Sequence, residues 1–216
     1  AQSAKKQQPE IKEVTRETSS IEEHANVLFK PNEGPQTEFL AASEREVLYG
    51  GSAGGGKSYA MLADPLRYMG HPQFSGLLLR HTTEELRELI FKSQELYPKI
   101  WPGIKWSERK MQWTAPSGAR LWMSYLDRDE DVLRYQGLAF SWIGFDELTQ
   151  WATPYAWNYM RSRLRSTAPD LPIFMRATTN PGGRGHGWVK KMFIDPAPYN
   201  RAFDATDIET GEALKY

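Results

Sequence analysis

The 216-residue chain contains no cysteine. That excludes disulfides, thiolate zinc sites, iron–sulfur clusters and cysteine nucleophiles, and suits a reducing compartment. No run of about 18 apolar residues occurs, and the N-terminus lacks the apolar stretch of a secretory signal, so the sequence reads as a soluble, non-exported protein with no membrane partner. Charge of neither sign is in excess: 27 Lys plus Arg balance 27 Asp plus Glu, so an anionic partner must be met by a local patch. Internal repeats and low-complexity segments are also missing. What is present is a composition that folds: 40% hydrophobic residues with 8 Trp, 10 Tyr and 9 Phe. The length allows one sizeable domain with a small appendage.

Residues 1–19 are polar and charged with few large apolar groups, which predicts a flexible N-terminal arm. Ser20 and Glu23 have the spacing of a capping box ahead of a short helix over 21–29, which Pro31 and Gly34-Pro35 end. Beyond it, short apolar runs alternate with amphipathic stretches. Strands are expected at 46–49, 76–79, 120–126, 141–145 and 173–178, and helices from Lys57, after Thr82 and near 154–164. This order predicts an α/β domain over 20–195, a mostly parallel sheet with helices on both faces. Thr82 and Glu85 form a second capping box just after Leu77-Leu78-Leu79, placing a strand-to-helix turn at Arg80 and His81. Such turns, at the carboxyl ends of parallel strands, are where α/β domains hold ligands. Between Lys99 and Ser124, four tryptophans interspersed with Pro and Gly suggest a β-hairpin insertion.

Gly51-Ser52-Ala53-Gly54-Gly55-Gly56-Lys57-Ser58 satisfies GxxxxGK[ST] without mismatch. It follows the apolar run Val47-Leu48-Tyr49 and precedes the helical pattern opened by Tyr59. Glycines let backbone amides turn inward around an anion at a helix N-terminus. Lys57 then reaches the β- and γ-phosphates, and the Ser58 hydroxyl is placed to ligate Mg2+. The signature predicts a P-loop NTPase whose nucleotide contacts run from Gly51 through Tyr59.

A P-loop does not distinguish ATPases from kinases or GTPases. The second half of the site does: Phe140 to Phe145 is an apolar strand ending in Asp146-Glu147. Asp146 stands where an acid holds Mg2+, and Glu147 beside it suits a general base that polarises water. No guanine-reading NKxD motif occurs. ATP hydrolysis coupled to motion is the expected class, a fold of the ASCE, RecA-like kind.

In order along the chain, Pro35-Gln36-Thr37, the P-loop, Asp146-Glu147 and Ala177-Thr178-Thr179-Asn180-Pro181 resemble the motifs of the large terminase subunit of tailed phages and herpesviruses, over about residues 30 to 195. The resemblance implies an ATPase motor that moves double-stranded DNA into a procapsid, with ATP and Mg2+ as cofactors. Gln36 would read adenine, Glu147 would be catalytic beside Lys57, and Thr178, Thr179 and Asn180 would couple hydrolysis to DNA grip. It further implies a homo-oligomeric ring, by family a pentamer, with a portal protein and a small terminase subunit as partners in the host cell cytoplasm. The family's nuclease domain would follow this segment, so residues 196–216 are expected to begin a linker, and DNA cleavage is not expected from these residues.

One departure from the family pattern is that positions 52–55 carry no arginine. A cation from a neighbouring subunit is therefore expected at the transferred phosphoryl group. Arg134 is the candidate, with Arg80 and Arg128 as rivals. For phosphate tracking along DNA, the basic clusters Arg161, Arg163, Arg165 and Lys190, Lys191 are the candidates, with the lysines and Arg109 of the tryptophan-rich region behind them. A helicase-like or recombination ATPase, and an ATP-gated assembly module with little turnover, are the alternative readings of the same motifs.

Overall fold

The computed structural model describes residues 29–52, 54–206, 211 and 213–216. The expected N-terminal arm, the Ser20/Glu23 cap with nearly all of its helix, and Ala53 lie outside the described residues. In chain order the elements are α1 (Pro35–Ala41), β1 (Glu46–Gly50), α2 (Lys57–Ala63), β2 (Ser75–Arg80), α3 (Thr83–Ile100), β3 (Lys105–Ser107), β4 (Gln112–Thr114) and β5 (Arg120–Tyr125). They continue with β6 (Trp142–Phe145), α4 (Tyr155–Arg161), β7 (Phe174–Thr179), α5 (His186–Val189), β8 (Asp204–Thr206) and β9 (Ala213–Lys215).

A seven-stranded sheet runs in the order β1-β7-β6-β2-β5-β4-β3. The first five of these strands are mutually parallel, while β4 and β3 add antiparallel. The tryptophan-rich region is thus no separate insertion but an extension of the sheet edge, its hairpin closed by Trp106 opposite Trp113.

The all-apolar run of β2 reflects burial on both faces, as a central parallel strand requires. Leu78 joins Met61, Leu62, Leu86, Leu89 and Trp142 under α2 and α3. Leu77 and Leu79 join Phe145, Trp157, Met160 and Met175 under α4. Gly144 lets the P-loop helix come close: a Cβ there would lie 2.3 Å from the Trp142 ring and 2.8 Å from Met61 Sδ. The helix end is pinned by buried Asp64, which accepts a hydrogen bond from Trp142 Nε1 at 2.7 Å and faces Arg176 Nε at 3.6 Å. At α3 the Thr82 cap is formed in both directions, Glu85 N to Thr82 Oγ1 and Thr82 N to Glu85 Oε2, each at 3.3 Å.

The described residues after 195 fold back onto the domain. Phe203 and Tyr216 exchange backbone hydrogen bonds at 3.0 Å and stack at 5.1 Å, Arg161 donates to the Tyr216 hydroxyl at 2.9 Å, and Tyr199 donates to Glu38 at 3.1 Å. Aromatic rings with polar tips suit such docking.

Candidate nucleotide site

Register alone gathers the site. Gly50 pairs with Thr179, Phe145 with Ala177, and Leu79 with Phe145, so β1, β7, β6 and β2 end at one edge of the sheet. The P-loop, Asn180, Asp146-Glu147 and Arg80 issue from that edge side by side, at the carboxyl ends of parallel strands.

In the P-loop, Gly51, Gly54 and Gly56 take φ of 143°, 86° and 72°, values open to glycine and strained for other residues. Side chains hold the loop by its carbonyls. Lys57 Nζ donates to Gly51 O at 3.1 Å and Ser52 O at 2.7 Å, and the Tyr49 hydroxyl donates to Gly55 O at 2.6 Å. Gln36 Nε2 donates to Gly56 O at 2.8 Å, and Gln36 Oε1 accepts from Asn32 N at 2.6 Å. A trans peptide points its N–H away from its C=O, so tying the carbonyls to the protein frees the amide edges for an anion. Tyr59 is exposed in the first turn of α2. A cleft of about 750 Å3 opens beside Gly50 and Gly51, lined by Phe39, Tyr49, Tyr199 and Phe203 among others.

The Gln36 side chain is buried, and its amide braces the mouth of the P-loop helix with one N–H and one lone pair, leaving the second of each outside these two bonds. Only the fold, by seating α1 against α2, could reveal this.

Asp146 is fully buried. Its Oδ1 accepts from the Thr178 hydroxyl, and its Oδ2 faces Ser58 Oγ at 3.5 Å and Arg80 Nε at 3.1 Å. Among the described residues no group of three or more His, Cys, Asp or Glu could hold a metal unaided. One hydroxyl and one carboxylate fit Mg2+, which completes its shell with substrate phosphates and water.

Glu147 has a left-handed backbone, φ 61° and ψ 55°. Its amide donates to Thr178 Oγ1 at 3.1 Å, while Asn180 donates from Nδ2 to Oε1 at 2.8 Å and from its backbone N to Oε2 at 3.1 Å. Burial first, then the charge of Asp146, push the Glu147 carboxyl above its ordinary range; the Asn180 amide, Arg80 and Lys57 oppose them. Thr179 Oγ1 donates to Thr149 Oγ1 at 2.8 Å, tying the end of β7 to the turn after the acids. Thr178 and Thr179 of β7 and Asn180 just after it thus meet Asp146, the following turn and Glu147 in succession.

The fold does not bring the other candidates here. Arg134 is exposed on the turn over 129–135, its Nη2 donating to Tyr125 O at 2.6 Å and its guanidinium 5.3 Å from the Tyr125 ring. Arg128 is also exposed. Arg80, buried against Asp146, cannot be offered to a neighbour. Arg161 is withdrawn from the DNA-contact set: it is buried and clasps fully buried Glu46 at 2.7 Å and 3.0 Å. Arg165, Lys190 and Lys191 are exposed and Arg163 half-exposed, with Lys190 paired to Asp195. Trp142 and Trp151 are core residues.

A strand carrying hydroxyls and an amide, set between the P-loop strand and an acid-tipped strand, defines a P-loop NTPase. More narrowly, the chain belongs to the phage terminase large subunit family, whose model matches residues 43–212. The fold is shared with the large terminase of a thermophilic bacteriophage (TM-score 0.60, 18% identity, 77% of this chain and 43% of that one). A structure of that same terminase in complex with ADP is similar (TM-score 0.59, 18% identity, 76% and 42%). So is the ATPase domain of the Thermus phage P74-26 large terminase (TM-score 0.50, 15% identity, 71% and 66%). This chain therefore spans under half the length of the first of these terminases. No curated protein matches it.

Proposed function

We propose that this chain is the ATP-hydrolysing part of a viral DNA-packaging motor, driving double-stranded DNA into a procapsid. The observation that carries this reading is the joining of Ser58, Asp146, Glu147 and Asn180, drawn from the start of α2 and the ends of β6 and β7, at the mouth of the P-loop.

Lys57 and the loop amides bind the phosphates, and the nucleoside lies in the adjoining cleft. Ser58 and Asp146 hold Mg2+, which neutralises charge on the phosphate oxygens when bound. Glu147 takes a proton from water as its oxygen bonds to the γ-phosphorus and the bond to the β–γ bridging oxygen breaks. Asn180, bonded to both Glu147 oxygens, sets the carboxylate's orientation, and through Thr178 and Thr179 a change at the phosphate is passed to β7 and the turn at Thr149. Family membership supports the ring, a pentamer, with its portal and small-subunit partners, and a place on the procapsid in the host cytoplasm. Among the described residues no helix is long and apolar enough to cross a membrane. Arg134, exposed, with its guanidinium resting on Asp131 and on the Tyr125 carbonyl and ring, is the finger offered to a neighbour. Arg163, Arg165, Lys190 and Lys191 track DNA phosphates. The activity is phosphate release without nicking of DNA.

The test is Glu147→Ala. ATP binding is retained, and phosphate release falls by about 10²- to 10⁴-fold, the usual contribution of a positioned base. Unchanged turnover would refute the motor reading.

A further inference from the structure

Arg80 ends β2, the strand on the far side of β6 from the P-loop strand. Leu79 O accepts the Asp146 amide at 3.0 Å, which places Arg80 beside Asp146 across the strands. Its side chain is only 9% exposed. A guanidinium carries five N–H donors, and burying it is costly unless acceptors meet them. Here the partner is Asp146 Oδ2, 3.1 Å from Nε; the pair is close, yet the Nε–H is not aligned for a hydrogen bond. Among the described residues neither Nη1 nor Nη2 makes a hydrogen bond. By contrast, Arg161, equally buried, spends its donors on Glu46, Asn158 and Tyr216. Arg176 spends its donors on carbonyls of Ala42 and Glu44.

The site therefore holds a cation whose fork lacks acceptors, next to the carboxylate that Ser58 also faces. A triphosphate entering over the N-terminus of α2 has Lys57 on one flank and β2 on the other. Ser58 and Arg80 face the same Asp146 oxygen, so a phosphate seated at Ser58 would lie toward the guanidinium. That phosphate offers three oxygens in the geometry a guanidinium fork pairs with. We propose that Arg80 contacts the outermost phosphate of a bound triphosphate from within the same subunit, a cis guanidinium beside Lys57 at a P-loop whose positions 52–55 carry no arginine. The proposal rests on the nucleotide site described above and is separate from any arginine supplied by a neighbour.

The experiment compares Mg2+-supported binding of ADP and ATPγS by isothermal titration calorimetry, in wild type, Arg80→Ala and Arg80→Lys. Protein concentration is kept low enough that the chain is monomeric. ADP lacks the phosphate in question, so its Kd stays within about twofold, while ATPγS weakens by about tenfold to a hundredfold in Arg80→Ala, the worth of hydrogen bonds to a charged group. Arg80→Lys keeps the charge without the fork and recovers part of the loss. Thermal melts accompany each variant. If Arg80→Ala does not fold, Arg80→Lys decides, because a reduced preference for ATPγS over ADP supports the assignment and an unchanged preference overturns it. Wild type binding both nucleotides, with their affinity ratio unmoved in the variants, overturns Arg80 alone. Wild type binding neither removes the nucleotide site itself and Arg80's role with it.

Discussion

Asn180 grips both carboxylate oxygens of Glu147, one from its side-chain amide at 2.8 Å and the other from its backbone N–H at 3.1 Å. The carboxyl is raised above its ordinary value of 4.5, chiefly by burial. Only the deprotonated form accepts a proton, so hydrolysis is lost as pH falls through the raised pKa, and the acidic limb of kcat lies above pH 4.5. Asn180→Asp sets a second carboxylate against Oε1, which raises Glu147 further. The limb should then move to higher pH, with kcat at neutral pH reduced while ADP affinity holds. A pH–rate profile of both proteins checks this, and an unmoved limb would count against Glu147 as the base.

Gln36 supports the P-loop through Gly56 O. Gln36→Ala should therefore weaken ATP and GTP alike, by about twofold to tenfold, the worth of one neutral hydrogen bond. Competition titrations with both nucleotides measure it. A selective loss of ATP would return Gln36 to the adenine.

Arg161 and Glu46 form a buried pair, to which Trp157 Nε1 adds a hydrogen bond at 3.1 Å. Arg161→Ala strands the carboxylate and should cost about 3–5 kcal/mol of stability, whereas exposed Arg165→Ala should stay within about 0.5 kcal/mol. Urea unfolding gives both values. In DNA binding the order reverses, Arg165→Ala lowering the salt dependence and Arg161→Ala not, provided it is assayed where it is folded.

For Arg134, steady-state ATPase of a mixture is decisive. Arg134→Ala and Glu147→Ala are each nearly inactive alone, the first by about 10³-fold or more if the finger acts in trans. Mixed, they should regain activity, because some interfaces pair an intact arginine with an intact glutamate. No recovery at any ratio would place Arg134 outside the shared site.

The site's parts were legible where chemistry and local structure coincide in a few consecutive residues. Gly51 to Ser58 carry glycines that the loop uses at positive φ, Asp146-Glu147 end an apolar strand, and Thr82 with Glu85 close a capping box. Each depends on neighbours within one turn or one strand. Arg161 lay in a run of arginines that sequence spacing could only read as a basic cluster, and the packing that sets Gln36 against Gly56 joins residues twenty positions apart.

The sequence alone determined that a phosphate-binding loop, an acid pair and a polar strand end exist, because turn geometry and strand burial impose those residue types locally. Tertiary structure alone decided which strands are neighbours. That placed Arg80 against Asp146, Asn180 against Glu147 and Arg161 against Glu46, since parallel pairing joins residues far apart in the chain and no local pattern records its order.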